Sequence, residues 1–340
     1  MTVMRGVCVQ RPGAIAMVEL ERPRPGPGEV LVAVAAVGIC GSDVELLDGS
    51  RPAPYVRYPV VPGHEWAGTI AEVGAGVTGV APGDRVVAEG FRACGVCDRC
   101  KEGRTNLCSA EYAETGFTHA GAFAEYLSVP ARLIHRLPPD ADLEAAALLE
   151  PAACVAQGLL DVELRPGLHV AVVGAGSLGL LAVAMLRLVS PARLALAGSR
   201  PDRLALGRRL GATEVVDVNR DDVAGLADQF DLVFEAANRP TGGAAALRLA
   251  RRGGTIVLEG ISGSAEPSLA GDEIALKHLR VQGVFGASGA AWRWVVSLFG
   301  AGALDTRPLI SHRFPLDQYE DAFAALRDRD SGAVKVQLAP

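Results

Sequence analysis

The sequence predicts an α/β protein of two domains, one β-rich and one built on a doubly wound parallel sheet. Length allows this, because 340 residues supply two cores at roughly 100–200 residues per domain. Texture points the same way. The first 150 residues form short β-biased runs broken by Gly and Pro, whereas beyond Glu150 apolar helical stretches alternate with short β runs.

In chain order, Glu21 to Glu29 is an entry loop rich in Pro and Gly, and Glu29–Val37 is a β run. Gly68–Val73 is another, and Pro82-Gly83-Asp84 makes a turn before Arg85–Ala88. The alternating region supplies β runs at Leu168–Val173, Arg193–Ala197, Glu214–Val218, Leu232–Glu235, Thr255–Glu259 and Arg280–Phe285. After about Gly286 helices are expected at Trp292–Phe299 and Tyr319–Ala325, then a strand at Val334–Leu338. That tail has too little core to fold alone and is expected to pack back onto the first domain.

Composition excludes several classes of function. With 49% hydrophobic and 21% charged residues, and 33 Lys plus Arg against 39 Asp plus Glu, the chain is globular with a net charge of -6. No basic run offers a nucleic-acid or anionic-membrane footprint. Met1 to Leu20 carries Arg5, Arg11 and Glu19 and does not read as a signal peptide, so a cytoplasmic location is expected. Arg165 to Arg187 encloses no fixed charge, but its glycines and His169 suit a strand, a turn and a buried helix better than a membrane span.

Seven cysteines are present, and Cys94, Cys97, Cys100 and Cys108 crowd into one lobe. An odd count in a large chain disfavours a disulfide framework. Four closely spaced thiols suit a closed tetrahedral Zn²⁺ site of structural type. An iron–sulfur cluster competes, and the polar residues Asp98, Arg99, Lys101 and Glu102 favour zinc. Cys40-Gly-Ser-Asp43 and Gly63-His64-Glu65 offer a thiolate, an imidazole and a carboxylate, a donor set able to hold zinc with one position open. Alone, either motif is weak, because a lone buried Cys or His is more often a packed core residue than a ligand.

Further motifs follow in order: Pro27-Gly-Glu-Val30, Gly38-Ile-Cys40, Pro62-Gly-His64-Glu65, Pro82-Gly-Asp84-Arg-Val86, Glu150-Pro151 and Gly174-x-Gly176-x-x-Gly179. Together with the cysteine lobe they span nearly the whole chain, and on them it resembles the zinc-dependent medium-chain alcohol and polyol dehydrogenases. The resemblance implies a GroES-like catalytic domain formed by residues 1–151 and 287–340, with a structural zinc lobe at about 94–108. A Rossmann coenzyme domain at 152–286 would be inserted between the two ends. It implies that Cys40, His64 and Glu150 bind a catalytic zinc, with Glu65 as an exchanging neighbour, so that each chain would hold two zinc ions. Glu150, where classical alcohol dehydrogenases have cysteine, points to the sorbitol- and threonine-dehydrogenase-like branch. A homo-oligomer, dimer or tetramer, is the expected assembly.

Residue chemistry supplies roles beside that resemblance. Asp43 is placed to orient His64, and Ser42 to take a hydroxyl proton. Where the family commonly continues the relay with histidine, this chain has Glu45, which could act as relay acid, substrate contact or solvated charge. Gly174, Gly176, Ser177, Leu178 and Gly179 follow a strand and open a helix, the context for a dinucleotide pyrophosphate. Gly198-Ser199-Arg200 ends the next strand without the acid that a 2′-hydroxyl prefers. Ser199 and Arg200 therefore favour NADP, while Asp202 keeps NAD open. Ala236, Ala237 and Gly260 end later strands and are expected to line the nicotinamide.

The substrate is expected to be a secondary alcohol or its ketone, in a pocket built from Ser42, residues 46–58 and 112–119 and the region around Trp292. Asp48, Arg51, Tyr55, Arg57, Glu111, Glu114 and His119 make that mouth polar, suiting a polyol, sugar or aminocyclitol. Glu45, Asp48, Glu89, Glu111 and Glu114 could draw an amine-bearing substrate such as an aminoglycoside precursor. A zinc- and dinucleotide-binding protein without turnover, or a zinc-binding interaction module, is the rival class.

Overall fold

The computed structural model describes residues 2–261, 263 and 269–340. Its N-terminal part opens on a hairpin, β1 (Val3–Arg11) and β2 (Ala14–Glu21), which the strand expectations above did not include. β3 (Glu29–Ile39) follows the Pro- and Gly-rich entry loop. Its Val-rich sequence is buried almost throughout, as a strand paired on both edges requires. Helix α1 (Gly41–Asp48) starts where β3 ends. Asp43 caps it, one carboxylate oxygen accepting the Cys40 N–H at 2.8 Å, and Gly49 closes it in the left-handed conformation.

β4 (Glu65–Val73) pairs antiparallel with β3, β5 (Arg85–Ala88) pairs with β4, and α2 (Asp98–Lys101) lies in the cysteine lobe. β6 (Tyr126–Pro130) joins β3, β7 (Ile134–Arg136) joins β5, and α3 (Leu143–Ala146) and α4 (Leu149–Leu160) follow.

A parallel sheet comes next, built from β8 (His169–Val173), β9 (Arg193–Gly198), β10 (Glu214–Asp217), β11 (Phe230–Glu235), β12 (Ala250–Leu258) and β13 (Arg280–Gly283). Its spatial order is β10-β9-β8-β11-β12-β13, so the strand order reverses between β8 and β11, where a doubly wound sheet opens its binding crevice. Helices α5 (Ser177–Leu186), α6 (Pro201–Leu210), α7 (Thr241–Leu249) and α8 (Gly271–Leu276) belong to it. The uncharged stretch after Arg165 is thus β8, a glycine turn and α5. Among the described residues no helix is long and apolar enough to cross a membrane.

The chain closes with α9 (Gly289–Gly300), β14 (Ile310–Pro315), α10 (Tyr319–Arg327) and β15 (Lys335–Ala339). β15 pairs antiparallel with β3, Val336 facing Ile39, which returns the tail to the first sheet. By contact the chain divides into one unit of Met1–Ala153 with Gly286–Pro340 and another of Cys154–Phe285. In the first, Val32, Val37, Ile39, Trp66, Phe123, Phe323 and Leu338 share one apolar core. In the second, Val233, Leu247, Leu249 and Ile256 do so.

Candidate active site

Local rules bring Cys40 and His64 together. Cys40 ends β3 as the N-cap of α1, and His64 stands immediately before β4, the neighbour of β3. Gly63 adopts φ +96°, and a Cβ there would stand 2.4 Å from the Phe123 ring, so the turn into His64 needs glycine on both counts. The Cys40 sulfur, a His64 ring nitrogen and a Glu65 carboxylate oxygen lie within 4.8 Å of one another. Asp43 is fully buried. The carboxylate oxygen not used in capping faces His64 Nδ1 at 3.5 Å, too far for a good hydrogen bond, and among the described residues neither atom makes another hydrogen bond. Burial alone would lower the imidazole pKa, but Asp43, Cys40 and Glu150 outweigh it and hold it well above the usual histidine value.

Glu65 is not simply a neighbour. Lys335 Nζ grips both of its carboxylate oxygens at 2.8 and 2.6 Å, with the two residues 3% and 1% exposed. Glu65 and Lys335 come from β4 and β15, on either side of β3. Gly38 between them leaves the room, since a Cβ there would stand 2.3 Å from Glu65 Oε2. Lys335 was missed in the sequence; a lone lysine in the apolar run Val334–Leu338 was the available signal.

Glu150, in the first turn of α4, lies outside the 4.8 Å trio but within electrostatic reach of it. Burial, Glu65 and Glu114 push its pKa up to about 7 against the pull of His64 and Lys335. Ser42 and Glu45 sit one helical turn apart on α1, both half-buried, with no side-chain hydrogen bond of their own among the described residues.

The pocket residues differ from expectation in their charge balance. Asp48 pairs with Arg327 at 2.5 Å, Glu111 with Arg57, Glu114 with Arg51 at 3.3 Å, and Glu89 with His135 at 3.3 Å. Four of the five acids proposed to draw an amine therefore face cationic or ionisable partners, leaving Glu45. His119 Nδ1 shares a hydrogen bond with Thr118 at 3.1 Å. Trp292 is a core residue, 2% exposed and stacked on His135 at 5.6 Å.

In the cysteine lobe, Cys94 and Cys100 sulfurs lie 4.0 Å apart and those of Cys97 and Cys108 3.9 Å. A tetrahedron with Zn–S bonds of about 2.3 Å has edges near 3.8 Å, so these spacings fit. Backbone N–H groups point at the sulfurs: Val96 and Cys97 at Cys94 at 3.5 and 3.4 Å, and Cys94 at Cys108 at 3.3 Å. Donors from Ser109 and Cys100 lower the Cys97 pKa to about 5, whereas burial pushes Cys100 up to about 12. Four gathered thiols share their negative charge poorly without a cation, which is the chemistry zinc supplies.

In the parallel-sheet unit the glycine triplet ends β8. Gly174 has φ +105° with Ala236 O 2.8 Å from its missing Cβ, and a Cβ on Gly179 would stand 1.8 Å from the Gly174 carbonyl. Gly176 caps α5, leading into Ser177 and Leu178, and among the described residues nothing lies within 4 Å of where its Cβ would stand. Among the described residues the turn is thus bare toward the helix N-terminus, an arrangement that could admit a pyrophosphate. Ala236 donates its N–H to Val173 at 2.8 Å, and Glu235 accepts from the Ala237 N–H at 2.7 Å. Gly260 donates to the Glu235 carbonyl at 3.1 Å, tying the ends of β11 and β12. After β9, Asn219 holds the Ser199 carbonyl at 3.1 Å, and Arg200 pairs with Asp202 at 3.1 Å. Arg203 stands near enough to Arg200 that its own pKa is lowered, by burial first and then by that charge.

Residues 26–139 match the alcohol dehydrogenase GroES-like domain and residues 177–301 the zinc-binding dehydrogenase domain. The chain is 32% identical over 339 residues to an L-threonine 3-dehydrogenase of Burkholderia thailandensis, covering 97% of this chain and 98% of that one. A structure from Sinorhizobium meliloti 1021, described as a zinc-binding dehydrogenase and bound to NADP, matches over 100% of both chains with TM-score 0.92 and 32% identity. The 2R,3R-butanediol dehydrogenase of Bacillus subtilis matches over 99% of both chains with TM-score 0.89 and 28% identity.

Proposed function

The chain belongs to the zinc-dependent medium-chain dehydrogenases and is an NAD(P)-dependent alcohol dehydrogenase, and from this premise we propose that it transfers a hydride between NADP and a secondary alcohol of a polar, polyhydroxylated substrate. The convergence of Cys40, His64 and Glu65 from two separate segments, with Glu150 nearby, carries the reading. The donor set suits zinc. The carboxylates of Asp43, Glu65 and Glu150 outnumber the one lysine beside them, and thiol, imidazole and carboxylate are the donor types a zinc ion takes, so a dication would balance the cluster. Cys40 and His64 would hold that ion with Glu150 or Glu65 as the carboxylate ligand, and the four-cysteine lobe would hold a second. When bound, catalytic zinc withdraws electron density from the substrate oxygen, which makes a hydroxyl more acidic and a carbonyl more electrophilic.

The remaining roles fall to the chain. Asp43 faces the Nδ1 edge of His64 at 3.5 Å and would steady the ring electrostatically, leaving Nε2 as the nitrogen that could hold an ion. Lys335 restrains Glu65, so Glu65 could serve as a metal ligand only if that grip loosened. Ser42 takes the proton of the reacting hydroxyl, and Glu45, one turn along α1, passes it to solvent. The bare glycine turn at 174–179 seats the pyrophosphate. Arg200 and Arg203 stand together at this strand end and could hold a 2′-phosphate, with Asp202 already paired to Arg200. The NADP-bound relative supports that preference, and the relatives that act on butanediol and threonine support a substrate with more than one polar group.

A panel of secondary alcohols, followed by absorbance of reduced nicotinamide with each cofactor, tests this. Turnover of polyols with NADP preferred over NAD is the expected result. Absence of nicotinamide reduction with every alcohol, on zinc-loaded protein, would overturn it.

A further inference from the structure

The end of β11 carries a buried acid that no step above uses. Glu235 is 2% exposed, and among the described residues it forms no ion pair. Its carboxylate meets backbone instead. Oε1 accepts the Ala237 N–H at 2.7 Å, Oε2 lies beside Gly260, and the Gly260 N–H also acts on the carboxylate. Two glycines make the room. A Cβ on Gly242, in the first turn of α7, would stand 2.2 Å from Oε1, and one on Gly260 would stand 2.7 Å from Oε2 and 3.0 Å from the Ala237 nitrogen. The exit of β11, the exit of β12 and the start of α7 therefore close on one side chain. The titratable residues beside it on these segments are Glu259, whose N–H donates to the Glu235 carbonyl at 3.0 Å, and the exposed Arg239, whose N–H donates to the Ala237 carbonyl at 2.7 Å.

Those exits lie where the strand order of the sheet reverses. Glu235 pairs with Val173, the last residue of β8, and the Ala236 N–H returns to the Val173 carbonyl at 2.8 Å. Gly174, first of the glycine triplet, packs on the peptide that Glu235 holds: a Cβ there would stand 2.8 Å from the Ala236 carbonyl oxygen and 2.9 Å from the Ala237 nitrogen. The carboxylate thus fixes the Ala236–Ala237 peptide against both the glycine turn and the exit of β12. An amide of the same shape does this incompletely. A carboxylate offers acceptors alone, whereas an amide or a protonated acid turns a donor toward one of the two backbone N–H groups. Folding does not call for the charge. Burial raises the pKa of Glu235 to about 7 against the N–H groups of Ala237 and Gly260, and an acid so raised is costly to the fold when ionised.

Resting on the reading above, in which Ala236, Ala237 and Gly260 line the nicotinamide, we propose that Glu235 is a positioning residue for the coenzyme: its ionised carboxylate sets the backbone lips of the crevice, and protonation loosens them. Glu235 acts through the Ala237 and Gly260 peptides and needs no contact with the coenzyme. With both N–H groups accepted, the exits of β11 and β12 are held at one separation. A proton on one oxygen sets an O–H against one of those N–H groups, and the two exits are no longer tied together. Coenzyme therefore binds the ionised form more tightly, and affinity rises as pH passes upward through the titration of the acid. Glu235→Gln imitates the protonated acid at every pH.

The test is fluorescence titration of NADPH into the wild type, Glu235→Gln and Gly242→Ala at pH 5.5 and pH 8.5, with thermal melts beside it. At pH 8.5 the wild type should bind about 3- to 10-fold more tightly than Glu235→Gln, the range for one hydrogen bond, and at pH 5.5 the two should bind alike. Comparing the proteins at each pH cancels the titration of the coenzyme's own 2′-phosphate. Gly242→Ala keeps the acid but sets a methyl group against Oε1, and should bind more weakly than the wild type at pH 8.5. A ratio of wild-type to Gln-variant affinity that stays within twofold of one at both pH values, or is equally large at both, would overturn the proposal. Should Glu235→Gln fail to melt cooperatively, Gly242→Ala decides: a larger loss at pH 8.5 than at pH 5.5 sustains the proposal, and unchanged affinity overturns it. If the wild type binds NADPH but turns over no alcohol, the dehydrogenase reading falls by itself, and the same titration still decides the role of Glu235.

Discussion

The cysteine lobe and the Cys40–His64–Glu65 cluster, both proposed above as zinc sites, are built on opposite plans. In the lobe four like ligands from one 15-residue stretch close on each other at 3.9 and 4.0 Å, their sulfurs receiving backbone N–H groups. In the cluster the donors are unlike and come from separate segments. A buried lysine competes for one of them, and a fourth donor, Glu150, stands apart. A filled tetrahedron has no position for a substrate, whereas a mixed set with spare carboxylates can release one. Closure therefore marks a site that stabilises, and incompleteness one that reacts.

Breaking each site separately sharpens this contrast. His64→Ala is expected to lower kcat/KM by at least about 10²–10³-fold, the range for removing one group that stabilises a transition state, with little change in Tm. Assay and thermal melt together check it. Cys97→Ser should do the reverse at first, lowering Tm by roughly 2–4 °C for each kcal/mol of zinc-coupled folding energy lost. Activity measured well below the melt should persist. Equal loss of activity in both variants at low temperature would erase the distinction.

Lys335→Met probes the competition within the open cluster. Leaving Glu65 buried without its cation is expected to cost about 3–5 kcal/mol in denaturant unfolding of the metal-free protein, and less with zinc bound, because the ion then takes over the charge. Equal losses with and without zinc would mean that Glu65 never meets the ion. A smaller effect comes from a buried acid with neither lysine nor metal ligands beside it. Burial raises Glu235 to about 7, against the N–H groups of Ala237 and Gly260. An acid raised in the folded state binds more protons there than when unfolded, so its contribution to stability declines as pH rises from about 4.5 to about 7. Glu235→Gln, which keeps the acceptor for Ala237, should remove that slope and stabilise the protein by on the order of 1–3 kcal/mol at pH 8. Urea unfolding at pH 5 and pH 8 reads it directly.

Legibility follows the same division. The gathering of the four cysteines could be read from the sequence because they are sequence neighbours, and the glycine turn because Gly174, Gly176 and Gly179 answer to local backbone demands. The strand alternation after Glu150 reappears as β8 to β13, with ends shifted by one or a few residues where pairing rather than propensity sets the boundary. Cys40 and His64 were legible only through motifs in order, since nothing local says that the end of β3 meets the start of β4. The grip of Lys335 on Glu65 spans 270 residues and depends on β15 and β4 flanking β3. The pairing of Arg51 with Glu114 likewise needs the fold, so the sequence offered a group of acids where the structure has ion pairs.

Zinc content per chain, measured by elemental analysis on the wild type, His64→Ala and Cys97→Ser, tests the two-plan account most directly. Two ions in the wild type and one in each variant is the predicted result. One ion in the wild type that His64→Ala retains and Cys97→Ser loses would leave the open cluster without a metal and contradict the account.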